Sequence, residues 1–270
     1  MVSRRTFLGS AGLAAIGSQA VRAESAEVRP KGGAERTPGC FLLESYLLKN
    51  GSQAQRLASY FQLARIGMAR RLGIPAPAFV LEALVAAHMP QVLAVSDFDA
   101  LDGVGAMKRK LREDSESLAA MAQWEAAEGP PYEELNETVL EAAAYCPPLP
   151  SPVPGTAKPP RIFELRTYHS PSERQLAALH ERFAGAEIKI FHRCGIHPVL
   201  YSSTLIGANK PNLTYLIPFE DLAAREKAWA AFGADPEWAK VRADSIAKHG
   251  QISSVIQMSL FKAATYSPVR

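Results

Sequence analysis

Phe41-Leu-Leu-Glu-Ser-Tyr46 and, 122 positions further on, Phe163-Glu-Leu-Arg-Thr-Tyr168 are the two segments on which the fold reading turns. Each opens on an aromatic residue and alternates in polarity, the pattern of a half-buried strand. Successive side chains on a strand point to opposite faces. Phe163 and Leu165 therefore share one face, and Glu164, Arg166 and Tyr168 share the other; the first segment places Leu42, Glu44 and Tyr46 on the corresponding side. The match continues beyond the strands. Gln53 pairs with Gln175, Leu57 with Leu179, Phe61 with Phe183 and Gly73-Ile74 with Gly195-Ile196, so that eleven of the thirty-four positions from 41 to 74 are identical. After a one-residue slip, Pro90 pairs with Pro211, Phe98 with Phe219 and Asp114 with Asp235. Self-similarity at a fixed offset reads as a duplicated module.

Each copy follows the same order of elements. After the first strand comes a helix with apolar positions Leu57, Phe61, Ala64, Met68 and Leu72, matched by Leu179, Phe183, Ala186 and Ile190. Ser172 with Gln175 fits a capping box, and Gly73 and Gly195 stand where a left-handed helix end is wanted. Val199–Ile206 and Leu213–Phe219 read as a strand pair. Asp221 and Asp235-Pro236 open two further helices, and Ile252–Phe261 is a last strand matched by Asn136–Tyr145. The order βαββαβ is the ferredoxin-like split motif. The expected fold is α+β: ferredoxin-like domains at 40–146 and 161–267, their four-stranded antiparallel sheets packed face to face as an intramolecular barrel. Seven prolines within residues 147–160 mark an extended linker between them.

The chain has 270 residues, 47% of them apolar and 21% charged, the balance of a globular protein. Ser3-Arg4-Arg5-Thr6-Phe7-Leu8, a short apolar run and Val21-Arg22-Ala23 have the form of a removable export signal of the twin-arginine type over residues 1–23, with Arg4 and Arg5 its paired arginines. Residues 24–39 read as a disordered segment. The mature chain is then expected outside the cytoplasm, periplasmic or extracellular, with no stable insertion in a membrane. The formal charge of +3 vanishes with the signal, since three arginines and no acid leave with it. Binding to nucleic acid through an unbalanced basic field is therefore not expected.

The stretches FELRTY (163–168), IFHRCGIHPVLYSSTLIG (190–207) and PNLTYLIPFEDLAAREKAWAAFGADPEWAKVR (211–242) resemble the NIPSNAP family in a tandem, exported bacterial form. The resemblance spans residues 40–267 and is closer in the second copy. It implies the dimeric α/β-barrel superfamily, which also holds haem-degrading and cofactor-free oxygenases, and it brings no catalytic set to carry over. The first copy departs from the pattern at residues 97–105, where Asp97-Phe-Asp-Ala-Leu-Asp-Gly-Val-Gly105 stands in place of the usual helix start.

If the helix-free faces enclose a shared interior, Glu44 and Arg166 occupy equivalent positions with opposite charge and are expected to pair across it, with Glu164 competing for the same guanidinium. Tyr46, Tyr168, Tyr201 and Tyr215 would add hydroxyl donors to a lining for a small acidic or carbonyl ligand. The same residues also read as a structural ion pair that sets how the halves register. His192-Arg-Cys194-Gly-Ile-His197 diverges too far around a helix end to hold zinc; no metal or cofactor is expected. His180 reads as a surface residue on a helix, and Ser202-Ser203 as ordinary strand residues. Cys40 precedes the first strand and Cys146 follows the fourth of the same copy, which would make them neighbours and candidates for a disulfide in an exported protein. Three function classes stay open: binding of a small molecule or protein without catalysis, an oxygenase-like enzyme working in the lumen, and a scaffold that assembles into a homo-oligomer.

Overall fold

Eight runs rich in aromatic and β-branched residues form strands: β1 Cys40–Leu47, β2 Phe79–Val85, β3 Gln91–Phe98, β4 Glu134–Ala142, β5 Ile162–His169, β6 Leu200–Ile206, β7 Asn212–Phe219 and β8 Val255–Ala263. The computed structural model describes residues 37–126, 128–151 and 161–270. The export signal with Arg4 and Arg5, residues 24–36 and most of the Pro-rich linker lie outside the described residues. The strands run β1-β3-β2-β8-β5-β7-β6-β4 in one closed barrel, every pair antiparallel.

This overturns the expected architecture. There are not two ferredoxin-like domains with separate sheets packed face to face as an intramolecular dimer, but one continuous α+β domain around a single closed sheet. Strands of the two halves are hydrogen-bonded neighbours at two seams, β2–β8 with Leu81 opposite Ala263 and Glu82 opposite Lys262, and β4–β6 with Leu140 opposite Thr204 and Glu141 opposite Ser203. Two separate sheets would have left four edges of unpaired N–H and C=O groups, and closure removes all of them. Each seam carries a register shift, next to Leu84 and next to Leu205, where one extra residue bends the strand to meet its neighbour.

The expected assignment of faces is reversed as well. Phe41, Leu43, Phe163 and Leu165 point into the barrel, where the Phe163 and Phe79 rings meet edge to face at 5.5 Å. Leu42 and Cys40 instead pack outward on Val104 and Met107 of α3 (Asp102–Glu113). Tyr46 lies against Phe61 and against Trp124 of α4 (Ser115–Glu125). Tyr168 lies against Phe183. Both faces of these strands are apolar, so period-two alternation separates the faces without saying which one the helices cover.

The helical layer follows its local signals. In the first half α1 (Gln53–Tyr60) continues through a π-helical segment, Phe61–Ile66, into α2 (Gly67–Leu72), which ends on left-handed Gly73 with φ 62°. In the second half α5 (Glu173–Arg182) starts at Ser172, whose hydroxyl accepts from the Gln175 amide, and continues through π-helical Phe183–Glu187 into α6 (Ile188–Arg193). Asp221 caps α7 (Leu222–Ala234) and Asp235 caps α8 (Pro236–His249), each accepting a backbone N–H three residues on. Such caps contribute about 1 kcal/mol each. One end of the barrel is sealed by the last residues: Val269 is buried in the main core and donates to the Ala78 carbonyl, while the Ser267 hydroxyl accepts from the Val80 amide.

Candidate functional site

The residues expected in the lumen lie under the helices, in two groups. Glu44 does not meet Arg166. It receives two 2.7 Å hydrogen bonds from Arg65 on the π-helical segment and one of 3.2 Å from the Tyr46 hydroxyl, and both charged side chains are 4% exposed. Burial pushes the Glu44 carboxyl up, but the Arg65 guanidinium and the Tyr46 hydroxyl overcome it and hold the group below its usual value. In the second half Glu164 accepts from Arg166 at 2.6 Å, from Arg225 at 2.7 Å and from the Trp229 indole at 2.9 Å. Arg166 stacks over Trp229 at 4.4 Å. Tyr215 donates to Tyr168 at 2.8 Å, and the buried Tyr201 hydroxyl has no partner among the described residues. Each carboxylate thus finds its cation on a neighbouring helix or on its own strand, which removes the reason for pairing across a lumen. Glu187, on the π-helical segment beneath α5, is fully buried and accepts from Arg182 at 2.7 Å; burial outweighs that cation and pushes its carboxyl up to about 7.

The candidate disulfide is not formed. Cys40 and Cys146 are free and belong to different clusters, Cys40 under α3 and Cys146 in the main core, where its sulfur accepts from the Tyr201 amide at 3.4 Å. The end of β4 does return beside the start of β1, with Glu141 opposite Cys40, but beyond it the chain follows β6, where the Ala143 amide donates to the Tyr201 carbonyl, and this carries Cys146 away. His192 and His197 are exposed with their rings stacked at 5.0 Å.

A cleft of about 400 Å³ lies between α5 and the outer face of the β4–β6 seam. His180, on α5, is its centre. One ring nitrogen lies 2.7 Å from the Tyr145 hydroxyl and the other 2.7 Å from the Ser203 hydroxyl, and all three residues line the cleft. Burial lowers the His180 pKa from the ordinary histidine value, so the ring is neutral at pH 7. A neutral imidazole holds one N–H and one lone pair. With the proton on the nitrogen facing Ser203, the imidazole donates to Ser203, whose own O–H is left free, while Tyr145 donates to the ring. With the proton on the other nitrogen, Ser203 donates to the ring and the Tyr145 O–H is free. The chain therefore presents one hydroxyl proton at one end or the other, and shifting the ring tautomer moves it. Ala142, Ala143, Ala144 and Ala184 make an apolar wall, and Glu141 and Glu181 stand at the exposed rim.

Sequence reasoning missed this cleft. The alternation of β6 puts Tyr201 and Ser203 on one face, and that much is legible. Ser203 meets His180 and Tyr145 only because Glu141 pairs with Ser203 across a seam that no local pattern announces.

A second concavity lies inside the barrel, at the end opposite the sealed one, and encloses about 190 Å³. Ten of its fifteen lining residues carry a side-chain amide or hydroxyl and none carries a charge. No helix among the described residues is long and apolar enough to cross a membrane.

With this geometry in hand, comparison with known proteins places the chain among similar folds. The NIPSNAP sequence profile matches residues 163–268, less than half of the chain. This corrects the reading of a tandem NIPSNAP protein in a dimeric barrel: the profile stops at one half, and the fold is a single closed barrel. No curated protein matches. Among solved structures, a putative monooxygenase from Lactobacillus acidophilus NCFM superposes with a TM-score of 0.52 at 6% identity, over 83% of this chain and 93% of that one. An anthrone oxidase-like protein aligns at 8% identity and TM-score 0.49, over 85% and 93%. A NIPSNAP family protein of unknown function from Agrobacterium tumefaciens is 23% identical with a TM-score of 0.36, over 41% of this chain and 94% of that one. The chain thus shares the barrel fold of the Lactobacillus putative monooxygenase, and its likeness to NIPSNAP sequences is shown over residues 163–268.

Proposed function

We propose that the cleft between α5 and the β4–β6 seam is an acid–base site that moves a proton on a small, enolisable or phenolic molecule. The observation that carries this is the Ser203–His180–Tyr145 chain, with both ring nitrogens of one half-buried histidine engaged at 2.7 Å by hydroxyls that line the same cleft. A substrate against Ser203 loses a proton to the chain while Tyr145 returns one at a second atom, so the reaction is a tautomerisation without net redox change. The two rim glutamates disfavour anions, and the alanine wall suits an apolar body. Acyl transfer through Ser203 fits less well: Ser203 sits in mid-strand, flanked by Glu141 and Leu213, where its amide belongs to the sheet and not to an oxyanion hole. A lumen reaction fits less well too, because the cup is lined by neutral groups that do not titrate near pH 7.

A second reading is favoured by the barrel shared with a putative monooxygenase: the carbanion or phenolate formed at Ser203 reacts with O₂. Both readings begin with the same proton removal. The test follows deuterium entry from D₂O into acetylacetone, ethyl acetoacetate and 2-naphthol by NMR, with an oxygen electrode in parallel. Wild type is expected to accelerate exchange of at least one probe, and Ser203→Ala and His180→Asn to lose the acceleration. O₂ uptake with a probe selects the second reading, and exchange no faster than in buffer for all three overturns both. Export through the twin-arginine pathway is proposed alongside; retention of the Arg4→Lys, Arg5→Lys double variant in the cytoplasm of a producing cell, with wild type released, tests it.

A further inference from the structure

On four of the strands that enclose the open end of the barrel, the same step recurs. One inward position above a leucine stands a neutral polar residue: Ser45 above Leu43, Gln91 above Leu93, Thr138 above Leu140 and Thr167 above Leu165. Together they make a leucine floor under a collar of amides and hydroxyls. Much of the collar is already tied together. Gln91 donates to Ser45 at 2.6 Å, Thr204 donates to the Asn212 side-chain oxygen at 3.0 Å, and the Thr167 and Thr214 hydroxyls meet at 2.9 Å. The Thr138 hydroxyl has no partner among the described residues, and it lies beside the loop that overhangs the mouth, to which Asn212 is tied by a 2.8 Å bond from its side-chain amide to the Asn209 carbonyl. There Gly207 holds a φ of 152°, and a Cβ would lie 2.8 Å from the Thr138 methyl.

We infer that this cup is a second binding site, which takes one end of an uncharged, short-chain molecule whose tail is apolar and whose head both donates and accepts hydrogen bonds. Amides and hydroxyls offer donors and acceptors alike. An ion in the cup would be desolvated with no counter-charge in the lining, a cost that an amide or alcohol does not meet. The volume of about 190 Å³ is the share of roughly six waters, which suits a group of about six non-hydrogen atoms by the same measure. Alcohols, diols and primary amides of short alkyl chains are the class.

Butyramide and butyrate test this, being nearly the same shape with and without a charge. Leucine methyl groups are followed by ¹³C NMR on the whole protein, with signals assigned through Leu43→Ile and Leu165→Ile. Butyramide is expected to shift the Leu43, Leu93, Leu140 and Leu165 methyls saturably at millimolar concentration, and butyrate to leave them in place. Ala208→Leu, in the exposed loop over the mouth, is expected to abolish the shifts, and Thr138→Val to weaken binding several-fold. His180→Asn is expected to leave them unchanged, so failure in the cleft and failure in the cup are separable. The inference is overturned if butyramide gives no saturable shift, if butyrate shifts the same methyls equally, or if the shifts survive Ala208→Leu.

Discussion

Replacing Glu44 by Gln removes one charge from a pair that has no other solvent. Glu44 and Arg65 are each 4% exposed and joined by two bonds of 2.7 Å. Two unit charges about 4 Å apart attract by about 4 kcal/mol at an effective dielectric constant of 20. Arg65 cannot escape by losing its proton, because guanidinium stays charged at any pH the fold survives. The variant therefore keeps a buried cation with half its partner, and the expected loss of stability is about 3–5 kcal/mol. Urea unfolding, with a slope of roughly 3 kcal/mol per molar for a domain of this size, should move its midpoint down by about 1–1.7 M. Replacing both residues, Glu44→Leu with Arg65→Met, removes the desolvation cost with the attraction and should cost about 1 kcal/mol or less. The pH dependence has a definite sign. The Glu44 carboxyl is held below its unfolded value, so its contribution is full above about pH 4.3, the unfolded value, and is lost as pH falls through the depressed folded value. The gap between wild type and Glu44→Gln should therefore narrow on acidification. The reasoning is refuted if Glu44→Gln loses less than about 1 kcal/mol, or if the double variant is as unstable as the single one.

Glu187 should show the opposite sign. Its folded pKa of about 7 lies above the unfolded value, so the native state binds the extra proton, and stability should fall by about 3 kcal/mol as pH rises from 4.5 to 7; pH-dependent urea unfolding should lose this slope in Glu187→Gln. Tyr201→Phe removes a buried hydroxyl that has no partner among the described residues, so its thermal midpoint should stay level or rise, unlike Tyr215→Phe, which breaks the bond to Tyr168 and should cost about 1 kcal/mol. Cys40 and Cys146 are buried and Cys194 is half-buried, so native protein should react with a thiol reagent at Cys194 first, and denatured, non-reduced protein at three thiols.

Features set by neighbours in the chain were legible in advance. Ser172, Asp221 and Asp235 announce helix starts, and each caps one. Gly73 and Gly195 were read as left-handed ends and have positive φ. Six of the eight strands are legible within a few residues, and β2 and β3 are implied only by the repeat. Features set by closure were not. Period two divides Glu44 and Tyr46 from Leu43 and Ser45, but both sets are apolar enough to be buried, and only the positions of Arg65 and Trp124 decide which set faces the helices. The π-helical segments were invisible as well, since one widened turn leaves the spacing of Leu57, Phe61 and Ala64 readable as an ordinary helix. His180 looked solitary because its partners are 35 and 23 residues away and arrive through a strand pairing.

The division of labour between the two concavities follows from the strand count. An eight-stranded barrel is just wide enough for side chains to fill, and here phenylalanines and leucines do so up to the last step of each strand. A charge placed at the open mouth would find no counter-charge among the fifteen residues that line it. Outside the sheet, helices bring arginine, histidine and indole groups from other parts of the chain to meet strand residues, so that Glu44, Glu164 and Glu187 each find a donor within hydrogen-bond distance. The mouth of the barrel keeps only neutral polar atoms, while Asp97, on the inward face of β3, and Arg270 are buried at the sealed end. If proton-transfer chemistry occurs in this molecule, this placement puts it at His180 and leaves the cup to select by shape and hydrogen bonding.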